Sequence, residues 1–224
     1  MANHGEKGTK MLKADFHIHT AYSMDCETPV AEIISRCLET GINCVAITDH
    51  DAIEGARKLQ SLAPFPVIVA EEILTPHGEI MGMFLQDHIP SGVSVEQAIS
   101  RIKAQGGLVC LPHPFDTFRG LKLEHNELHK LAEQVDIVEL FNARSAFLRC
   151  SNKARAFATK YGIPGTAGSD AHSASEIGNT YVEMPEFSGR DDFLEALSQG
   201  NIYKQRSSFL VHFSSALARF KKSM

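Results

Sequence analysis

Short apolar runs rich in β-branched residues recur along the chain, and longer stretches with helical spacing separate them. The runs fall at Lys13–Ile18, Asn43–Ile47, Pro66–Ile73, Gly107–Leu111, Asp136–Phe141 and Gly165–Ser169, and each is predicted to be a strand. Start and stop signals predict helices between them. Thr28 offers an N-cap with Pro29 at the first helical position, and helical spacing then runs to Gly41. Ser94 with Gln97 three residues on opens another helix, stopped by Gly106 and Gly107. A further helix ends at Gly162, and one following Ser188 ends at Gly200. This alternation predicts an α/β fold with a mostly parallel sheet, closed or open, and helices outside it. The tail from Ser207 to Met224 has a basic end and fits either a strand or a helix.

Length and composition narrow the picture. The 224 residues contain no apolar run long enough to span a membrane, so one domain with a sizeable core is expected. The first ten residues are polar and lack an apolar signal segment. An unstructured start over residues 1–12 and a single domain over 13–224 follow as expectations. Five cysteines, odd in number and without a CxxC pair, predict a reduced, cytoplasmic protein. A net charge of -5 argues against an extended nucleic-acid surface and leaves room for a small anionic ligand held by local positive charge.

The polar residues at the strand ends change the picture most. His17 and His19 end the first strand, two apart, so both can reach one point. Asp49 and His50 end the second, and Glu71 and Glu72 the third. His113 follows the fourth, Glu139, Asn142 and Arg144 the fifth, and Asp170 and His172 the sixth. In a parallel α/β architecture those ends converge. Any one of these residues alone is an ordinary rim residue or helix cap. Together they would cost several kcal/mol per buried group without a cation, and a metal cluster satisfies them at once.

The stretches "DFHIHTAYSMD", "VAITDHD", "VCLPHPFD" and "AGSDAH" resemble, in order and spacing, the four motifs of the PHP (polymerase and histidinol phosphatase) superfamily. The resemblance covers residues 13 to about 205 and is strongest to stand-alone metal-dependent phosphoesterases. It implies a distorted (βα)7 TIM-like barrel with a trinuclear site at the C-terminal strand ends. By that resemblance His17, His19, Glu72 and Asp170 hold one metal, and Glu72 bridges to a second held by His113. Asp25, His50 and His172 hold a third. Glu72 is preferred to Glu71 because it directly precedes Ile73, and Asp49 is expected to orient a liganding imidazole. The chain departs from the pattern at Cys26 and Ala70, where glycine is usual, and at Glu79, where many members carry a ligand His. Glu79 could coordinate in its place, with His77 as competitor, and the second metal depends on that. His4, His88, His125, His129 and His212 are assigned no site role, and Cys110 reads as a small core residue.

The chemistry so implied is hydrolysis of a small phosphorylated substrate, with two to three divalent ions (Zn, Mn or Fe) and a metal-bridging hydroxide. Asp170, His50 and His172 are the implied catalytic groups, either histidine serving as proton donor should the third metal be absent. Arg119 or Arg144 is expected to clamp the phosphate, with Asn142 beside it. Two alternatives stay open: an amidohydrolase-type C–N hydrolase, and a non-catalytic module working with a nucleic-acid enzyme. The substrate itself (nucleotide, histidinol phosphate, sugar phosphate or diester) and the oligomeric state stay open too.

Overall fold

The computed structural model describes residues 10–145, 147–207 and 218–222. Along the chain run β1 (Met11–Ile18), α1 (Val30–Thr40), β2 (Cys44–Ile47), α2 (Glu54–Leu62), β3 (Val67–Thr75) and β4 (Gly78–Met83). Next come α3 (Val95–Ala104), β5 (Leu108–Leu111), α4 (His125–Ala132), β6 (Ile137–Asn142), α5 (Leu148–Tyr161) and β7 (Gly165–Gly168). A short 3-10 turn, Ala174–Glu176, precedes β8 (Tyr181–Pro185), α6 (Arg190–Ser198) and β9 (Asn201–Tyr203). The strands form one sheet in the order β7-β6-β5-β4-β3-β2-β1-β8-β9. All six expected strands are present. The first begins at Met11, inside the segment expected to be unstructured, because Met11 and Leu12 pair with Pro185 and Met184 of β8.

β4, β8 and β9 were not expected. Pairs β1–β2, β2–β3, β5–β6 and β6–β7 are parallel, whereas β4 lies antiparallel between β3 and β5. The sheet nearly closes where the chain leaving β7 meets the end of β1. His19 N donates to Ala171 O at 2.9 Å, and Ala171 N to His17 O at 3.3 Å. The result is a distorted TIM-like barrel. Its inner face carries Leu12, Ala14, Phe16, Ala46, Met81 and Cys110, with Phe193 of α6 edge-on to Phe16 at 5.5 Å. Residues of opposite parity, such as Val45, Ile47, Val69 and Val109, pack outward against Ile33, Leu59 and Ile99 of the helices. All five cysteines are buried thiols, and burial pushes Cys110 well above its ordinary range, as suits a core residue.

Helix signals were read correctly at Ser94–Gln97, which forms a capping box, and at Gly41 and Gly162, which end their helices in the left-handed region. Thr28 is different. Pro29 is the N-cap of α1, and Thr28 Oγ1 donates instead to His172 O at 3.1 Å. Of the undecided tail, residues 218–222 are helical, and 208–217 lie outside the described residues. Among the described residues no helix is long and apolar enough to cross a membrane.

Candidate metal centre

Strict alternation along β1 would put His17 on the outer face with Lys13 and Asp15, because Leu12, Ala14 and Phe16 point inward. A bulge prevents this. The β1–β2 register shifts between Asp15 and Ile18, which returns His17 and His19 to the interior and sends Ile18 to the outer core. Asp15 fastens the bulge by accepting from His17 N at 3.3 Å and Ser169 N at 2.9 Å. Its carboxyl is pushed up to about 7 by burial. Gly168 permits the approach of β7, since a Cβ there would lie 2.8 Å from His17 N and 3.0 Å from its Cα.

Glu72 stands at the centre of the cluster. Its Oε2 lies 3.2 Å from His17 Nε2, 3.5 Å from His19 Nε2 and 3.6 Å from His50 Nε2. Its Oε1 lies 2.9 Å from His113 Nε2. Asp170 Oδ1 is 3.6 Å from His17 and 3.4 Å from His19, while Asp25 Oδ2 is 3.2 Å from His172 Nε2 and 3.6 Å from His50. Glu79 Oε2 sits 3.4 Å from His113. All nine side chains are buried. They fall into overlapping groups able to hold an ion: His19, Asp25, His50 and His172; His17, His113 and Asp170; His17, His19 and Glu72; His50, Glu72 and Glu79. His19 thus also faces the Asp25 group, and His50 also faces Glu79. His77 is exposed in the β3–β4 turn, away from the cluster. Two members are held in unusual backbone, His113 at φ 28° and Asp170 at φ 53°.

The donor set fits divalent cations. Both nitrogens of His19, His113 Nδ1, Asp170 Oδ1 and Glu79 Oε2 are buried without a hydrogen-bond partner. Burial, then the charge of His172, lowers His19 to about 4, so its imidazole is neutral and has a lone pair to give. Burial alone would raise Glu72, Asp25 and Asp170. The surrounding histidines, and for Asp170 first Arg119, outweigh it and hold all three carboxylates well below their usual range. Mixed imidazole and carboxylate ligands are the chemistry of divalent transition metals.

Several neighbours act otherwise than expected. Asp49 touches no imidazole. Its Oδ1 accepts from Thr20 N at 2.5 Å and its Oδ2 from Thr20 Oγ1 at 2.6 Å, fixing the turn after β1. Arg144 is buried under the His172 loop, 2.9 Å from Glu176 and 3.0 Å from His172 Nδ1. It braces that loop rather than opening to a phosphate. Asn142 Nδ2 donates to Glu139 at 3.1 Å and Asp170 at 3.2 Å, so it positions carboxylates instead of facing substrate. Arg119 alone of the three reaches the mouth, its side chain 28% exposed and in contact with Asp170. Cys26 donates its thiol to His172 O at 3.2 Å and His19 O at 3.4 Å, tying two ligand-bearing segments together. Of the histidines assigned no site role, His88 pairs with Glu71 at 2.7 Å and His129 lies exposed against Tyr161. His4, His212 and the side chain of His125 lie outside the described residues.

Glu139 of β6 supports the site in a way that its place in the sequence does not reveal. It lies 3.0 Å from His17 Nδ1 and accepts from His113 N at 2.7 Å. A carboxylate that accepts from Nδ1–H keeps the proton on that nitrogen and leaves Nε2 free to ligate. Glu139→Gln is therefore expected to lower metal affinity about 10- to 100-fold, read by competition with a chelating dye. Unchanged affinity would remove Glu139 from the support of the site.

The PHP domain family matches residues 15–106, and the PHP-associated family matches residues 151–202. An uncharacterized protein of Methanocaldococcus jannaschii is 32% identical over 212 residues, covering 93% of this chain and 86% of the relative. A two-domain protein from Bacteroides vulgatus, containing a predicted PHP-like metal-dependent phosphoesterase, superposes with a TM-score of 0.70 at 19% identity, over 96% of this chain and 71% of that one. Endonuclease Q, in complex with a duplex carrying an abasic lesion, superposes with a TM-score of 0.61 at 13% identity, over 84% of this chain and 56% of that one. The histidine and carboxylate positions that converge on Glu72 are those on which the motif resemblance rests, and with these matches the chain belongs to the PHP family, whose members are generally metal-dependent hydrolases.

Proposed function

We propose that this protein hydrolyses a phosphate ester of a small molecule, using two to three divalent ions of the Zn, Mn or Fe type. His17, His19, Glu72 and Asp170 would hold one, Glu72, His113 and Glu79 a second, and Asp25, His50 and His172 a third. Such ions, when bound, lower the pKa of water and neutralise phosphoryl oxygens. The chain's own groups do the rest. Glu139 and Asp15 set the aim of His17, and Asn142 steadies Asp170. Where the third ion is absent, His50 or His172 would instead pass a proton to the leaving oxygen.

One observation carries the reading. Asp170, whose Oδ1 has a partnerless lone pair, is in contact through its other oxygen with Arg119, whose Nη2 also lacks a hydrogen-bond partner. A phosphoryl group is the ligand that needs cations on one side and a guanidinium fork on the other. Arg119 is held for that role by the folded 113–120 loop, in which Asp116 accepts from Phe118 N at 3.0 Å and Ser145 Oγ at 3.0 Å. The likeness to endonuclease Q supports a second reading, in which the ester is a phosphodiester of nucleic acid.

The deciding experiment is a panel of phosphomonoesters and diesters, oligonucleotides included, assayed with Mn, Zn, Fe and Mg added separately. Metal-dependent monoester hydrolysis, lost in chelator, is expected. Full activity in chelator, or no cleavage with any metal, would reject the proposal.

A further inference from the structure

The last described residues of the chain dock on the loop that carries Asp25. Ala218 is buried, and three basic side chains follow it. Lys222 Nζ donates to Ser23 O at 2.6 Å and to Ala21 O and Cys26 O at 2.7 Å, so an ammonium with three donors meets three carbonyls. Lys221 pairs with Glu27 at 3.0 Å. Arg219, one turn before Lys222 and on the same face, places Nη2 2.9 Å from Asp25 Oδ2. Its side chain remains 62% exposed.

We infer that Arg219 is a second phosphate-binding arginine, delivered to the mouth of the site by the C-terminal segment. The inference rests on the phosphoesterase reading above. Arg119 sits on Asp170 and Arg219 on Asp25, and His172 lies between these carboxylates, 3.5 Å from the first and 3.2 Å from the second. The two guanidiniums therefore flank the same cluster. Lys222 fixes the segment on the Asp25 loop, so Arg219 is held at the buried carboxylate while most of its own side chain stays open to a ligand. Once Asp25 shares its charge with a cation, Arg219 keeps donors and positive charge to offer a ligand. A dianionic phosphate monoester, with oxygens pointing both ways, is the ligand two such arginines would take.

The test uses the full-length, metal-loaded protein and inorganic phosphate as probe, with binding measured by calorimetry and KM and kcat measured for p-nitrophenyl phosphate. Arg219→Ala is expected to weaken phosphate binding and raise KM about ten- to a hundredfold, with kcat less affected and metal content unchanged. Arg219→Lys should recover part of the loss, because it keeps the charge but not the fork. Lys222→Met, which frees the segment and leaves every ligand side chain in place, should shift KM in the same direction. Wild-type phosphate affinity in Arg219→Ala overturns the inference. So does loss of bound metal in that variant, which would make Arg219 a brace for Asp25. If the wild-type protein binds no phosphate and cleaves no ester, the phosphoesterase reading fails and this inference fails with it. Cleavage of esters with Arg219→Ala unchanged sinks this inference alone.

Discussion

Glu72→Gln is expected to lower kcat/KM by about three orders of magnitude or more and to strip at least one metal, whereas Glu71→Gln should leave both near the wild-type level. The two residues are adjacent, but a strand sends them to opposite faces. Glu72 meets four imidazoles within 3.6 Å. Removing its charge takes away the anion common to two candidate ion groups, and the new amide N–H₂ would point a donor where ligand lone pairs converge. Glu71 faces the other way, accepting from Ile89 N at 2.9 Å and lying 2.7 Å from His88 Nδ1. Glutamine there keeps an acceptor for Ile89, and burial pushes the Glu71 carboxyl up to about 7, so near neutral pH only part of a charge is lost, on the face away from the cluster. Elemental analysis beside steady-state kinetics separates the outcomes. Equal losses in both variants would mean that the faces of β3 have been misassigned.

Removing the metals should invert the response of stability to pH. In the metal-free protein burial disfavours the charged forms of His17, His50 and His113, but nearby carboxylates, Glu72 first for His17 and His50, outweigh it and raise all three above 6.5. A histidine raised on folding stabilises fully below 6.5, and that stability is lost as pH climbs through its folded value. Asp15, raised to about 7, works in the same direction up to that point. His19, lowered to about 4, costs stability only below 6.5 and does not oppose the trend above it. Metal-loaded protein has the opposite slope, because ligands must be deprotonated and affinity rises with pH over the same interval. Between about pH 6.5 and 8.5 the melting temperature of chelator-treated protein is expected to fall by several degrees while that of the loaded protein rises. Parallel curves with and without chelator would show that these histidines do not hold metal. Hydrolysis should vanish with the metals at every pH.

The parallel core of the barrel was legible in the sequence because its signals are local. β-branched runs, a Ser94–Gln97 box and terminal glycines mark their own elements, and six strands that end in His, Asp or Glu point to a shared site. β4, β8 and β9 were missed for an equally local reason. β4 reads GEIMGM, with two glycines diluting its pattern, β8 ends on Pro185, and β9 has three residues. Each depends on ladder partners already in place rather than on its own propensity.

The sequence by itself determined which residues could meet at one end of a sheet: strand periodicity and the chemistry after each strand are carried by neighbours in the chain. Tertiary structure decided how they face and what holds them. The β1 bulge aims His17 inward against the alternation of Leu12, Ala14 and Phe16, and it exists because Asp15 finds Ser169, 154 positions away. Glu139 reaches His17 across 122 positions, Arg144 is taken up by Glu176, and Arg219 arrives at Asp25 from 194 positions on. No periodicity encodes such pairings. Buried charges choose partners only after closure of the barrel has removed water, when an unpaired ion costs more than any local preference can offset.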